Sequence, residues 1–340
     1  MISNNRQFVT GAEAAVQGAL DAGAEMMYGY PITPATEVFT IWIKKGQKYL
    51  QTEDEIAAGF GVCGAVIAGQ KAFTCSAGPG HILMQDAISM AEGMRLPFVA
   101  VIGQRGGPSS GTVIYSQQEV ILSCFGGNGE GHRLVYSPSN LDELYRLTAL
   151  AFHEAWQYKF PAIVLTDGYL LKTKGILDET KAEPAKAHPL INEETFRHWR
   201  NIYNFEEELR DEVLKMENDF AAAAKEAARA EEVQTDDVEI LLVAHGIVGA
   251  AAKEAVDILR GQGIKVGLFR PITLRPLAKE KLDKAAAKAK KIIVIESSLG
   301  QLARLVRDQL APEISTPFDY LQKPAVGIEV EEIVNFVYGI

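Results

Sequence analysis

The stretch Lys71-Ala-Phe-Thr-Cys-Ser-Ala-Gly-Pro-Gly-His-Ile-Leu-Met-Gln-Asp-Ala-Ile-Ser-Met-Ala-Glu-Gly-Met-Arg-Leu-Pro-Phe-Val-Ala-Val-Ile102 decides the fold. Lys71 to Cys75 is a short strand-forming run, Gly78-Pro-Gly80 is a turn, His81 to Met94 repeats apolar residues at helical spacing, and Phe98 to Ile102 is a second strand. A strand, a crossover helix and a strand are the unit from which parallel sheets are built. Working outward, Ala12 to Gly23 and Leu141 to Lys159 read as helices and Ala162 to Leu165 as another strand. The alternation predicts an α/β domain over residues 1–175, a doubly wound parallel sheet covered on both faces.

Residues 176–236 differ in character. Pro184 and Pro189 punctuate a polar stretch, and Glu206 to Glu232 is rich in Glu, Lys and Ala with no strand signal, which predicts a connector, part extended and part helical. The strand and helix rhythm returns with Val238 to His245, Gly249 to Gly261, Ile264 to Phe269 and Lys291 to Glu296. A second, smaller α/β domain is expected over residues 237–340.

Composition narrows the function classes. With 340 residues the chain has room for two or three domains, and its 47% hydrophobic and 23% charged content is ordinary for a globular protein. A net charge of -10 with no basic stripe argues against nucleic-acid binding. The N-terminal residues have no apolar signal core, and the longest apolar stretches, such as Ile56 to Gly69, fall short of the roughly 20 residues a membrane span requires, so a cytoplasmic location is expected. Cys63, Cys75 and Cys124 are too far apart for a metal or cluster set and read as reduced, buried small hydrophobes.

Four constellations can carry chemistry. Gly29-Tyr-Pro-Ile-Thr-Pro-Ala-Thr-Glu37 holds Thr33 between prolines that deny it regular pairing; it reads either as a rigid loop or as a strand end with Thr33 or Thr36 capping a helix. Gln51-Thr-Glu-Asp-Glu55 places three acids at the mouth of a long run of small apolar residues. A carboxylate facing that run would have a raised pKa suited to proton sharing, whereas Thr52 and Glu55 also have capping-box spacing, which would leave Glu53 and Asp54 at the helix end and Glu55 one turn deeper. Ser76-Ala-Gly-Pro-Gly-His81 leaves backbone amides at a helix start, as tight turns between strand and helix commonly do. Gly103-Gln-Arg-Gly-Gly-Pro-Ser-Ser-Gly111 puts Arg105 just past a strand, where parallel sheets bind ligands and where a guanidinium can clamp a carboxylate; an incidental surface arginine is the plain alternative.

Taken in this order, with Tyr30-Pro-Ile-Thr-Pro34 as the most specific element, these stretches resemble the alpha subunit of the 2-oxoacid:ferredoxin oxidoreductases, of the 2-oxoglutarate or branched-chain type. Thr10 to Gly23 is similar to that family's opening helix, and Arg270-Pro-Ile-Thr-Leu-Arg-Pro276 with Glu296 to Gln301 to its transketolase-C-like second domain. The resemblance implies a pyrimidine-type thiamine-diphosphate domain and CoA-dependent oxidative decarboxylation of a 2-oxoacid, 2-oxoglutarate slightly preferred over a branched-chain acid or pyruvate. It further implies that Glu55 hydrogen-bonds the cofactor's aminopyrimidine, that Pro31 and Gly78 lie beside the cofactor, that Thr33 contacts the 2-oxoacid and that Arg105 binds its carboxylate.

By the same resemblance the diphosphate and Mg²⁺ belong to a beta subunit, because a Gly-Asp-Gly loop followed at a distance by Asn is missing; Thr166-Asp-Gly168 with Asn192 lacks the first glycine. The [4Fe-4S] clusters that pass electrons to ferredoxin are likewise expected on partners, including gamma and ferredoxin-like delta subunits. Pro108-Ser-Ser-Gly-Thr-Val-Ile-Tyr115 departs from the Pro-Ser-Thr-Gly-Leu-Pro-Thr run of many relatives, and Val326-Gly-Ile328 from a Gly-Arg pattern near their ends. The altered run leaves a non-catalytic assembly module as the alternative, and His81 stands where relatives carry an apolar residue.

Overall fold

The structure is a computed structural model, and it describes residues 6–178, 182–191 and 200–339. A seven-stranded sheet has the spatial order Thr273–Arg275, Leu134–Tyr136, Ala162–Asp167, Val99–Gln104, Ala72–Ser76, Met26–Gly29 and Lys48–Gln51. All neighbours run parallel except Thr273–Arg275, which lies antiparallel at one edge. Every residue of Ala72–Ser76, Val99–Gln104 and Ala162–Asp167 is buried, without the alternation of a half-exposed strand. Continuous burial of this kind follows from helices on both faces of a doubly wound sheet. The helices pair over it, Gly11–Asp21 with Leu141–Tyr158 and Glu55–Ile67 with Gln85–Gly93.

Local chemistry sets the helix starts. Thr10 and Glu13 form a reciprocal capping box, with Glu13 N–H donating to Thr10 Oγ1 at 3.2 Å and Thr10 N–H to Glu13 Oε2 at 2.7 Å. Asn140 accepts from Glu143 N–H at 2.9 Å and starts Leu141–Tyr158. The predicted helix His81 to Met94 is two helices, Pro79–Leu83 and Gln85–Gly93, that run on through Met84, whose N–H bonds Gly80 O while its own carbonyl accepts from Ile88.

A five-stranded sheet forms the second unit in the order Phe318–Gln322, Lys291–Glu296, Ile240–Val243, Val266–Pro271 and Ala230–Val233. The expectation of no strand between Glu206 and Glu232 is corrected: after the helix Glu206–Ala227 the chain forms Ala230–Val233, antiparallel to Val266–Pro271. Local propensity yields here to cross-strand partners. Glu231 lies opposite Arg270 in the register and accepts its Nε at 2.6 Å, and the same guanidinium reaches Glu143 of the larger unit at 2.5 and 3.0 Å. Only Ile272 separates the strand Val266–Pro271 of the small sheet from Thr273–Arg275 of the large one. The helix Glu206–Ala227 buries Met216, Phe220, Ala223 and Ala227, a single stripe, and Phe220 meets Phe160 edge to face at 5.3 Å. Among the described residues no helix is long and apolar enough to cross a membrane.

Candidate active site

The loops that follow the adjacent strands Met26–Gly29, Ala72–Ser76 and Val99–Gln104 converge at their carboxyl ends, and the helix Glu55–Ile67 begins beside them. That edge is where open α/β sheets bind ligands. Thr33 stands in the first loop, Gly78 in the second and Arg105 at the start of the third. The loop reading of Thr33 holds and the capping alternative is corrected, because the helix Thr36–Lys44 has Ala35 at its cap with no side-chain hydrogen bond.

Asp54, not Thr52, caps the helix Glu55–Ile67: its Oδ1 accepts from Ala57 N–H at 2.8 Å, while Thr52 Oγ1 donates to Asp54 O. Glu55 is therefore the first helical residue and not one turn deeper, a correction that leaves its side chain at the helix mouth. It is buried to 4% exposure, and its Oε1 has no hydrogen-bond partner among the described residues. Burial raises the Glu55 carboxyl above its ordinary range, its own backbone N–H lowers it, Asp54 adds to the rise and Arg105 opposes it. Oε1 packs where it does because residue 80 is glycine: a Cβ there would lie 2.1 Å from Glu55 Oε1 and 2.5 Å from Ser76 Oγ, which is itself buried without a partner among the described residues. Gly80→Ala is accordingly expected to displace the carboxylate and lower turnover of the assembled enzyme about 10-fold. Steady-state rates with the Tm as control check this.

Arg105 is nearly buried, donates from Nη1 to Thr33 O at 2.6 Å, and keeps Nε without a partner among the described residues. Gly78 has φ +51, and a Cβ on it would meet Arg105 Nε at 2.7 Å, so only glycine lets the guanidinium lie over the turn. The structure thus joins Thr33, Gly78 and Arg105 in one cluster, with Glu55 close enough to feel the Arg105 charge; Pro31 is exposed in the same loop as Thr33. Sequence reasoning missed Glu119. Its Oε1 accepts the N–H groups of both Gly78 and Arg105 at 2.9 Å, and its Oε2 pairs with His81 Nδ1 at 2.8 Å. No motif surrounds Glu119; its only sequence signal is a lone acid beside Val120-Ile-Leu122.

The chance likeness at Thr166-Asp-Gly168 resolves into a structural role. Asp167 caps the helix Gly168–Lys172, accepting from Leu170 N–H at 3.0 Å, and Asn192 lies outside the described residues. Burial pushes the Asp167 carboxyl up to about 7, against the backbone N–H groups of Leu170 and Tyr169. An unfolded aspartate titrates near ~4, so between about pH 4 and 7 the folded chain holds a proton that the unfolded chain releases, and stability falls as pH rises through that window. Asp167→Asn keeps the cap and removes the charge. We expect it to raise Tm by a few degrees at pH 8 and by less at pH 5 in thermal scans. Cys63, Cys75 and Cys124 are buried free thiols, each pushed up to about 12 chiefly by burial.

Comparison with known proteins gives the family. Residues 17–240 match the family model for pyruvate flavodoxin/ferredoxin oxidoreductase, thiamine diphosphate-binding, and residues 238–327 match pyruvate:ferredoxin oxidoreductase core domain II. The chain is 36% identical over 311 residues to the ketoisovalerate oxidoreductase subunit VorB of Methanothermobacter marburgensis, covering 87% of each. It is 32% identical to the 2-oxoglutarate synthase subunit KorA of Methanocaldococcus jannaschii, over 87% of this chain and 89% of that one. Among solved structures, 2-oxoglutarate:ferredoxin oxidoreductase from Magnetococcus marinus, with 2-oxoglutarate, coenzyme A and succinyl-CoA bound, superposes with a TM-score of 0.90 at 26% identity, covering all of this chain and 66% of that one. A split-gene transketolase shares the fold alone, with a TM-score of 0.63 and 14% identity. With both family domains matched and relatives above 30% identity along most of its length, the chain belongs to the thiamine-diphosphate-binding 2-oxoacid:ferredoxin oxidoreductase family.

Proposed function

We propose that the chain is the alpha-type subunit of a CoA-acylating 2-oxoacid:ferredoxin oxidoreductase and supplies the pyrimidine half of its active site. One observation carries the reading: Glu55 Oε1 is buried and unpartnered above Gly80. An orphaned buried carboxyl oxygen of this kind costs about 1–3 kcal/mol unless a ligand satisfies it, and when protonated it can donate to a ring nitrogen of an aminopyrimidine, which accepts. Pro31 and Gly78 then flank the cofactor. Bound thiamine diphosphate supplies the carbon nucleophile and the electron sink for decarboxylation. Glu55, its carboxyl raised by burial, holds or releases a proton at Oε1. Thr33 orients the 2-oxoacid, and Arg105 neutralises a carboxylate that would otherwise be costly to bury.

The diphosphate, its Mg²⁺ and the [4Fe-4S] clusters are assigned to beta, gamma and delta-type partner subunits that deliver electrons to ferredoxin. The sequence favours 2-oxoglutarate slightly. A second reading, a branched-chain 2-oxoacid, rests on the loop that follows Arg105: residues 106–119 contain no Lys, Arg or His to meet a second carboxylate. That loop folds back through Thr112 N–H to Gly106 O at 2.8 Å and presents exposed Val113 and Ile114, with Ile114 O accepting from Gly168 N–H. The test is reduction of ferredoxin or viologen by the complex purified with its partner subunits, with coenzyme A and a panel of 2-oxoglutarate, branched-chain 2-oxoacids and pyruvate. Reduction with one acid is the expected result, and the ranking of kcat/KM decides between the two substrates. A complex inert toward all of them is the assembly module instead.

A further inference from the structure

We propose that Glu119 is a positioning residue for substrate binding, acting through the loops that carry Gly78 and Arg105. This rests on the assignment of Arg105 to the 2-oxoacid carboxylate. A single carboxylate oxygen, Glu119 Oε1, accepts from Gly78 N–H and from Arg105 N–H, both at 2.9 Å. Those amides begin the turns after the neighbouring strands Ala72–Ser76 and Val99–Gln104, so one acceptor ties the two loops together just past the end of their strand pairing. The second oxygen, Oε2, pairs with His81 Nδ1 at 2.8 Å, and both side chains are almost wholly excluded from solvent. Removing the carboxylate takes the acceptor from two backbone donors and the partner from a histidine nitrogen at once.

Glu119 is itself held from the second unit. The four residues before it are tied there in succession: Tyr115 Oη lies 2.9 Å from Ser297 Oγ, and Ser116 Oγ donates to Ser297 O at 3.1 Å. Gln117 exchanges bonds with the Ser297 backbone, N–H to O at 3.1 Å and Oε1 from Ser297 N–H at 2.9 Å, and its Nε2 donates to His245 O at 3.0 Å. Gln301 Nε2 donates to Gln118 O at 2.6 Å. On the other side Ser123 Oγ bonds Glu119 O at 2.7 Å. The chain thus runs from the small sheet through residues 115–118 into Glu119 and from there to the backbone of the substrate-binding arginine. A group held this firmly sets the position of Arg105 without touching the substrate.

The test compares variants within the complex assembled with its partner subunits, reading KM for the 2-oxoacid separately from kcat. Glu119→Ala is expected to raise KM about 10-fold or more with a smaller effect on kcat. Glu119→Asp, which keeps the charge but is one methylene too short to reach both amides, is expected to do the same and serves if the alanine variant does not assemble. Glu119→Gln, whose amide oxygen still accepts both N–H groups, is expected to recover most of the loss. On an Arg105→Gln background the Glu119→Asp change is expected to add less than about 2-fold, because its effect runs through the missing guanidinium. Unaltered KM in both Glu119→Ala and Glu119→Asp, or full additivity with Arg105→Gln, overturns the proposal while leaving Arg105 in its role. If Arg105→Gln alone leaves KM unchanged, the substrate assignment of Arg105 fails and the proposal falls with it.

Discussion

Glu55→Gln in the assembled complex is expected to lower 2-oxoacid-dependent viologen reduction by about 10²- to 10⁴-fold, the range in which positioned proton transfer contributes to catalysis. Glutamine matches glutamate in size, so the space above Gly80 is filled as before and the helix Glu55–Ile67 keeps its cap at Asp54. What disappears is the acidic proton at a buried position whose surroundings raise the carboxyl pKa. The variant should therefore assemble normally, melt within a degree or two of wild type and still bind 2-oxoacid. Retention of more than a tenth of wild-type turnover at saturating cofactor would remove Glu55 from the chemistry.

Arg105→Gln is expected to act on a different constant. The guanidinium is nearly buried, anchored by one N–H to Thr33 O, and directs an unpartnered Nε over the Gly78 turn. A charge-assisted contact to a carboxylate is worth about 1.5–3 kcal/mol, and 1.4 kcal/mol is tenfold in affinity. KM for the 2-oxoacid should rise by about 10- to 150-fold, with kcat at saturation falling less. Steady-state kinetics at fixed coenzyme A measures it. A fall in kcat with KM untouched would place the arginine elsewhere in the cycle.

Much of this was legible in the residues. The parallel sheet followed from strand runs separated by helical ones, and Ala72–Ser76 and Val99–Gln104 lie where Lys71 to Cys75 and Phe98 to Ile102 implied. Glu55, Thr33, Gly78 and Arg105 stood out because each sits in a stretch of unusual local chemistry. Two things escaped for one reason, that they depend on partners distant in sequence. Glu119 is an unremarkable acid until folding brings Gly78 and Arg105 to it across 41 and 14 residues. Ala230–Val233 has two glutamates in four residues and becomes a strand because Arg270 and Lys253 meet one of them. The helix start at Asp54 was a contest among adjacent acids, which spacing alone could not settle.

The strand Thr273–Arg275 has a consequence for how the polypeptide can be divided. It belongs by sequence to the later part of the chain yet closes the edge of the large sheet at Leu134–Tyr136. A fragment that stops near residue 240 would leave Leu134–Tyr136 as an open, fully apolar border inviting edge-to-edge association. Gene splitting or domain grafting at that junction should thus yield sticky, insoluble halves, and moving the cut beyond residue 275 would instead part Ile240–Val243 from its neighbour Lys291–Glu296.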